Sequence, residues 1–453
     1  MTSTIKLTAA QAMVKWLSVQ MTDDGERFIE GVWAIFGHGN VAGVGEALHR
    51  FREVIPTWRG QNEQTMAHAA IAYAKTKRRR KAMAITSSIG PGSTNMVTAC
   101  GLAHVNRLPV LMICGDVFAN RRPDPVLQQI EDFDDGTVSA NDCFRPVARY
   151  FDRISRPEHL LTALPRAMAM MTDPQNCGPA VLAFCQDVQA EEFDYPEDFF
   201  TPRTWRIRRP EPDPREVADV ARMIAEAECP VIVSGGGVLY SGADETLRTF
   251  AETHNIPVLE TQAGKGGIVA SHPLNFGSPG VTGSGCGNEL AAKADLVIGM
   301  GTRFQDFTTG SWTVFGREGR KLVSINLHPY DASKHLATPL VSDAKVALEK
   351  LTAALGDLRF DAHDPSSRED WIAEVGRVTA APEPDTNALP TDAQVIGAVQ
   401  RVATDETVAM CAAGTMPGAL QVLWQAAQGG YHLEYGYSCM GYEIAGAMGI
   451  KLA

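Results

Sequence analysis

Glu63 stands at the mouth of an apolar helical run, in Arg59-Gly60-Gln61-Asn62-Glu63-Gln64, and further along the chain makes the turn Gly90-Pro91-Gly92. An acid in the first turn of a helix is ordinarily a partner of the helix dipole, worth a few tenths to about 1 kcal/mol. A second group changes the weighting. His38 sits in the loop Gly37-His38-Gly39-Asn40, which closes another apolar run. An imidazole exchanges protons near neutral pH, so a carboxylate and a histidine at one site suit proton transfer on a bound molecule. Asn40 and Gln64 carry amides expected to contact a bound substrate there, while His68, one helical turn beyond Gln64, is expected to be packed.

The elements that must position these groups are strands of buried type alternating with helices. Trp33–Phe36, Ala82–Thr86 and Leu108–Cys114 are apolar runs, each ending in glycine or a glycine turn, which argues for a parallel α/β sheet. Ligands of such sheets bind at the carboxyl ends of the strands. His38, Asn40, Glu63 and the 90–92 turn are all expected at that edge.

A chain of 453 residues exceeds what one core fills, so several domains are expected. Its 41 basic and 53 acidic side chains argue against a nucleic-acid partner, and the basic run Lys75–Lys81 reads as a solvated connection. No stretch approaches the roughly 20 apolar residues of a membrane span, and no signal-peptide core follows Met1, so a cytoplasmic protein is expected. The nine cysteines are scattered without a Cys-x-x-Cys pair, which speaks against zinc or a disulfide framework. Thr8 and Thr391 read as helix caps.

Proline-rich and charged stretches at 192–214 and from about 360 to 385 read as extended linkers. They bound domains at 1–190, 205–358 and 386–453. The middle one repeats strand and glycine turn, at Pro230–Gly237 and Ala294–Phe304, without the strict Gly-x-Gly-x-x-Gly spacing and ribose-binding acid of a nicotinamide site.

The stretches Arg59–Ala74 and Ile85–Asn95, with Thr407–Gly418 and Tyr435–Ala453, resemble the thiamine diphosphate enzymes of acetohydroxyacid synthase type. Val32–Gly45, Trp58–Gln64 and Glu434–Tyr442 are similar, more narrowly, to the hydrolases that open trihydroxycyclohexane-1,2-dione in myo-inositol breakdown. The resemblance implies three Rossmann-like parallel-sheet domains: pyrimidine-binding, central, and the N-terminal part of a diphosphate-binding domain. It implies that Glu63 shares a proton with the cofactor's aminopyrimidine ring, making that ring an internal base, and that His38 is a second catalytic group. Gly90, Gly92, Ser438 and Met440 match positions around the pyrimidine, and Gly414, Thr415 and Met416 match the diphosphate side. The reaction implied is hydrolytic carbon–carbon cleavage of the dione to 5-deoxyglucuronate, in a homodimer or homotetramer whose active site lies at the subunit interface. In this family Mg²⁺ neutralises the diphosphate through a Gly-Asp-Gly motif and a later asparagine. That motif does not occur here, so its ligands are expected beyond Ala453 and the chain is expected to be C-terminally truncated. An acetolactate synthase-like carboligase and a truncated, non-catalytic homologue remain as alternatives.

Overall fold

Ala82–Ser87, Val110–Asp116 and Pro179–Cys185 are buried along their whole length, as strands covered on both faces must be. The computed structural model describes residues 3–361, 363–383, 388–434 and 436–453. In it the chain divides into two units, Met1–Arg208 with Gly436–Ala453, and Arg209–Tyr435. In the first, helix α1 (Ala9–Leu17) precedes strands β1 (Ile29–Ala34) and β2 (Thr57–Arg59). Helix α2 (Glu63–Thr76), β3 (Ala82–Ser87), the short turn of helix α3 (Pro91–Thr94), α4 (Val97–Asn106) and β4 (Val110–Asp116) follow. Strand β5 (Tyr150–Ile154), helix α5 (Leu160–Thr172) and β6 (Pro179–Cys185) complete the set. The strands form one parallel sheet in the order β2-β1-β3-β4-β6-β5. One face packs a core with α1 and α5, while α2 lies against β3 and α4.

The expected cap at Thr8 is present, its side chain accepting from Gln11 N at 3.2 Å while Gln11 returns the contact to Thr8 N. The linker expected at 192–214 is a correction. Glu192–Pro196 pairs antiparallel with Thr4–Thr8, and Arg203–Trp205 pairs with Gln20–Thr22. Its partners lie at the far end of the sequence, where local composition cannot announce them. The basic run is likewise tied down, with Lys81 joined to Glu26 and Glu30 and Arg80 to Asp23.

In the second unit α6 (Pro214–Ala225), β7 (Pro230–Ser234), α7 (Asp244–His254) and β8 (Val258–Glu260) are followed by β9 (Leu296–Met300), β10 (Lys321–Asn326), β11 (Thr338–Val341) and α8 (Ala344–Leu355). The sheet is parallel with order β8-β7-β9-β10-β11. The stretch from 360 to 383 is not wholly extended, because α9 (Ser366–Val378) buries Trp371 and Val375 in the same unit's core. Residues 384–387 lie outside the described set. After the capping box at Thr391, β12 (Ala409–Cys411), α10 (Met416–Leu423) and β13 (Tyr431–Leu433) form a small parallel pair with its own core. No described helix is long and apolar enough to cross a membrane.

The last helix, α11 (Tyr442–Leu452), belongs to the first unit and packs along α2. The alanine-rich face of α2 and the glycines of α11 bring the two backbones together. A Cβ added at Gly449 would lie 2.1 Å from the Ala69 carbonyl oxygen and 2.9 Å from Ala72 Cβ. Alanine is ordinarily preferred to glycine within a helix by about 0.5–1 kcal/mol. The sign is expected to reverse here: Gly449→Ala lowers stability by about 1–3 kcal/mol through overpacking against backbone. Gly376→Ala in α9, where a Cβ meets nothing within 4 Å, raises it. Thermal unfolding of the two variants beside the parent protein checks both signs.

Candidate active site

The strands of the first sheet release their turns at one edge, and the chemistry-bearing residues gather there. Asn62 caps α2, its Oδ1 accepting from Thr65 N and Thr65 Oγ1, both at 3.0 Å, so Glu63 is held as the first helical residue. Glu63 Oε2 accepts a hydrogen bond from Asn95 Nδ2 at 2.9 Å. Its Oε1 faces Gly92, 3.2 Å from where a Cβ would stand, and accepts no hydrogen bond among the described residues. Gly92 therefore meets the carboxylate of Glu63, in addition to whatever binds beside it.

Asn40 is a correction to the expectation of substrate contact. It is 1 % exposed, and its Nδ2 donates to Ile35 O at 3.0 Å and Thr86 Oγ1 at 3.1 Å while its Oδ1 accepts from Gly37 N at 2.9 Å. With both amide hydrogens and the carbonyl engaged inside the protein, it shapes the loop that carries His38. His38 itself is exposed, with Nε2 3.3 Å from the carbonyl oxygen of Leu127, to which a protonated Nε2 donates. The histidine and Glu63 share the sheet edge, and no hydrogen bond joins them.

Gly90 is also explained by packing. Its φ of +62° favours glycine, and a Cβ there would fall 1.6 Å from the carbonyl oxygen of Gln128, so the 117–139 segment presses directly on the turn. That segment is anchored at its base by Asp187, which accepts from Ala119 N and Asn120 Nδ2, and by Arg153, which donates to Thr137 O. Sequence reasoning passed over these anchors and Asn95. Asn95 had a signal, since it ends the same Gly-Pro-Gly-Ser-Thr-Asn turn.

Gln64 and Thr98 line a cleft of about 450 Å³ with Tyr437, Ser438, Cys439 and Met440, and Ser438 and Met440 are exposed in it. Glu63 itself does not line this cleft; Gln64, the next residue of α2, does. The unengaged oxygen of Glu63 fits an aminopyrimidine ring, which brings a ring nitrogen to share a proton. In the second unit Gly414, with φ of +103°, and Thr415 are exposed ahead of α10, and no side chain caps that helix. Pro417 has no amide hydrogen and Gly418 N donates to Thr415 O at 3.1 Å, so what this helix start offers a phosphate group is the amide of Met416 beside those of Gly414 and Thr415. Among the described residues no three His, Cys, Asp or Glu side chains converge as a metal site.

With this geometry in place the comparisons are direct. Residues 30–135 match the thiamine pyrophosphate enzyme N-terminal TPP binding domain, and residues 217–351 match the thiamine pyrophosphate enzyme central domain. The chain belongs to the thiamine pyrophosphate enzymes. It is similar to the 3D-(3,5/4)-trihydroxycyclohexane-1,2-dione hydrolase of Geobacillus thermodenitrificans, 46 % identical over 100 % of this chain and 74 % of that protein. The proteins of the same name from Bacillus cereus and Bacillus anthracis are 44 % identical over 99 % of this chain and 74 % of theirs.

His68 is packed on α2, 1 % exposed, with its ring edge-on to Tyr442 at 5.2 Å. Burial pushes its pKa down to about 4, against the opposing pull of the Glu443 carboxylate. It is neutral at pH 7. Below pH 6.5 the unfolded chain takes up a proton that the folded chain refuses until about pH 4, so this group's contribution to stability falls as pH falls through that window, by up to about 3 kcal/mol. His68→Phe keeps an aromatic ring against Tyr442 and is expected to flatten that part of the dependence. Urea unfolding at pH 7 and pH 4.5, compared between the two proteins, checks it.

Proposed function

We propose that this enzyme hydrolyses the bond between the adjacent carbonyls of trihydroxycyclohexane-1,2-dione, giving 5-deoxyglucuronate in myo-inositol degradation. The observation that carries the reading is Glu63: a carboxylate at the carboxyl edge of a parallel sheet, one oxygen bound to Asn95 and the other unengaged, in a chain whose similar relatives bear that hydrolase name. When bound, thiamine pyrophosphate supplies the nucleophilic carbon and accepts the electron pair of the broken bond.

The chain's own residues bind, orient and move protons. Glu63 holds a proton with the pyrimidine nitrogen. His38, exposed on its loop, exchanges protons with water and with the substrate, and Gln64 orients substrate hydroxyls from the cleft wall. Ser438 and Met440 hold the pyrimidine ring, while Gly414, Thr415 and Met416 present amides to the diphosphate, whose charge Mg²⁺ offsets. In this reading residues 386–453 are the N-terminal part of the diphosphate-binding domain. We further take the active form to be a homodimer or homotetramer. Ile444, Met448 and Leu452 support this, being exposed at four-residue spacing along α11 as an apolar stripe of the kind that subunit contacts cover. The nine cysteines, all free, support a cytoplasmic site.

Glu63→Gln is expected to abolish formation of the hydrolysis product with the fold retained, as judged by far-ultraviolet circular dichroism. Near-parental turnover in that variant removes Glu63 from its role. His38→Ala is expected to lower turnover by roughly 10²-fold, the usual scale for a general acid–base group, with cofactor affinity little changed. Carbon dioxide released from pyruvate, with no opening of the dione, is the result that favours a carboligase instead. Light scattering that finds a fully active monomer rules out the oligomer.

A further inference from the structure

The short helix α3 follows β3 and ends at Asn95, and it meets the Glu63 carboxylate at both oxygens. Asn95 Nδ2 donates to Oε2 at 2.9 Å, while Gly92 leaves room beside Oε1, where even a methyl group would come within 3.2 Å. The turn is itself fixed to the strand end. Ser93, fully buried, donates to Ser88 O at 2.8 Å and lies 3.3 Å from Ser87 Oγ, and Asn95 N donates to Pro91 O at 3.1 Å. A carboxylate at a helix N-terminus otherwise has competing partners in the free amides of the first turn, and a rotation about its last bond would exchange its two oxygens. Here the two oxygens are made unequal.

We infer that the turn Gly92–Asn95 is a positioning device for the catalytic carboxylate: Asn95 fixes Oε2, and the absence of a side chain at Gly92 keeps Oε1 open to the cofactor's ring nitrogen. The chemistry of the donor matters. A primary amide donates its hydrogen bond without titrating, so it fixes the oxygen and never enters the proton exchange. An aspartate or histidine in its place would add a second titrating group at the same oxygen. Asn95 is thus a positioning residue acting through Glu63, and Gly92 is selected for size at the carboxylate. The inference rests on the reading of Glu63 as the group that shares a proton with the cofactor.

The test uses the full chain with Asn95→Ala, Asn95→Ser and Gly92→Ala beside Glu63→Gln. In the cofactor-free protein, isotope-edited infrared spectra assign the Glu63 carboxylate stretch by its loss in Glu63→Gln. Asn95→Ala is expected to move that band, and Asn95→Ser, which keeps a donor, to return it part of the way. In protein loaded with thiamine pyrophosphate and Mg²⁺, Asn95→Ala is expected to lower kcat by roughly ten- to a hundredfold with KM for the dione unchanged, the scale of a hydrogen bond to a charged group. The pH midpoint of the bound aminopyrimidine's circular-dichroism signal should move by roughly one unit, a change that a loss of general stability does not cause. Should Asn95→Ala not fold, Gly92→Ala carries the test, with a displaced carboxylate band and thiamine pyrophosphate affinity reduced about tenfold or more by calorimetry. A carboxylate band unmoved in Asn95→Ala, or in Gly92→Ala where that variant carries the test, overturns the inference. Full turnover in Glu63→Gln instead sinks the role of Glu63, and the infrared band still reports whether the turn holds it.

Discussion

One buried side-chain amide, that of Asn40, ties together the strand ends on which the site is built. It bridges the main chain after β1, at Ile35 and Gly37, to Thr86 inside β3. A second amide extends the tie: Gln189 donates to Gly39 O at 2.8 Å and to Phe184 O in β6 at 3.0 Å. Two neutral side chains therefore lock the ends of β1, β3 and β6 into one frame, and the loop bearing His38 has no freedom to settle elsewhere. Removing either would leave buried donors and acceptors unsatisfied, each worth about 1–3 kcal/mol, which is why a polar residue occupies so apolar a place.

Much of this arrangement was legible in the residues. Fully apolar runs ending in glycine announced the parallel strands, and Thr8 and Thr391 announced helix starts, because both signals are local. Non-local pairing was not legible. The charged segment 192–205 has the composition of a linker and becomes two strands only because Thr4–Thr8 and Gln20–Thr22 lie beside it. Similarly, Asn40 reads as a polar loop residue facing a substrate, and only the fold shows that its partners are already inside. Gly90 and Gly92 looked alike in sequence, yet one meets a main-chain carbonyl of a distant loop and the other meets the Glu63 carboxylate.

Buried charge is handled differently in the two units. In the first, Asp116, at the end of β4, binds Arg153 Nε at 2.7 Å, and Arg153 also binds Asp142 at 2.7 Å. Burial alone would raise the pKa of Asp142, but the Ser139 amide and the two arginines, Arg153 and Arg145, hold it below the ordinary value. This network pins the 117–139 segment, whose carbonyls reach His38 and Gly90. In the second unit Glu260 and Lys265 are both buried, and desolvation pushes the acid up and the amine down. Three donors serve Glu260, from Gly266, Ile268 and Asn275, so it sits in a cradle of hydrogen bonds, and the charge of Lys265 opposes the upward push of burial.

The pairing of α11 with α2 has a consequence for biosynthesis. The first unit is discontinuous in sequence: all of Arg209–Tyr435 must be synthesised before Gly436–Ala453 exists. At typical elongation rates the intervening stretch alone takes roughly 10–45 s, long compared with the folding of most single domains. Throughout that interval the nascent chain carries the alanine-rich face of α2 without its partner helix, a surface open to chaperones. Completion of the first unit is thus timed by translation of the unit that interrupts it in sequence.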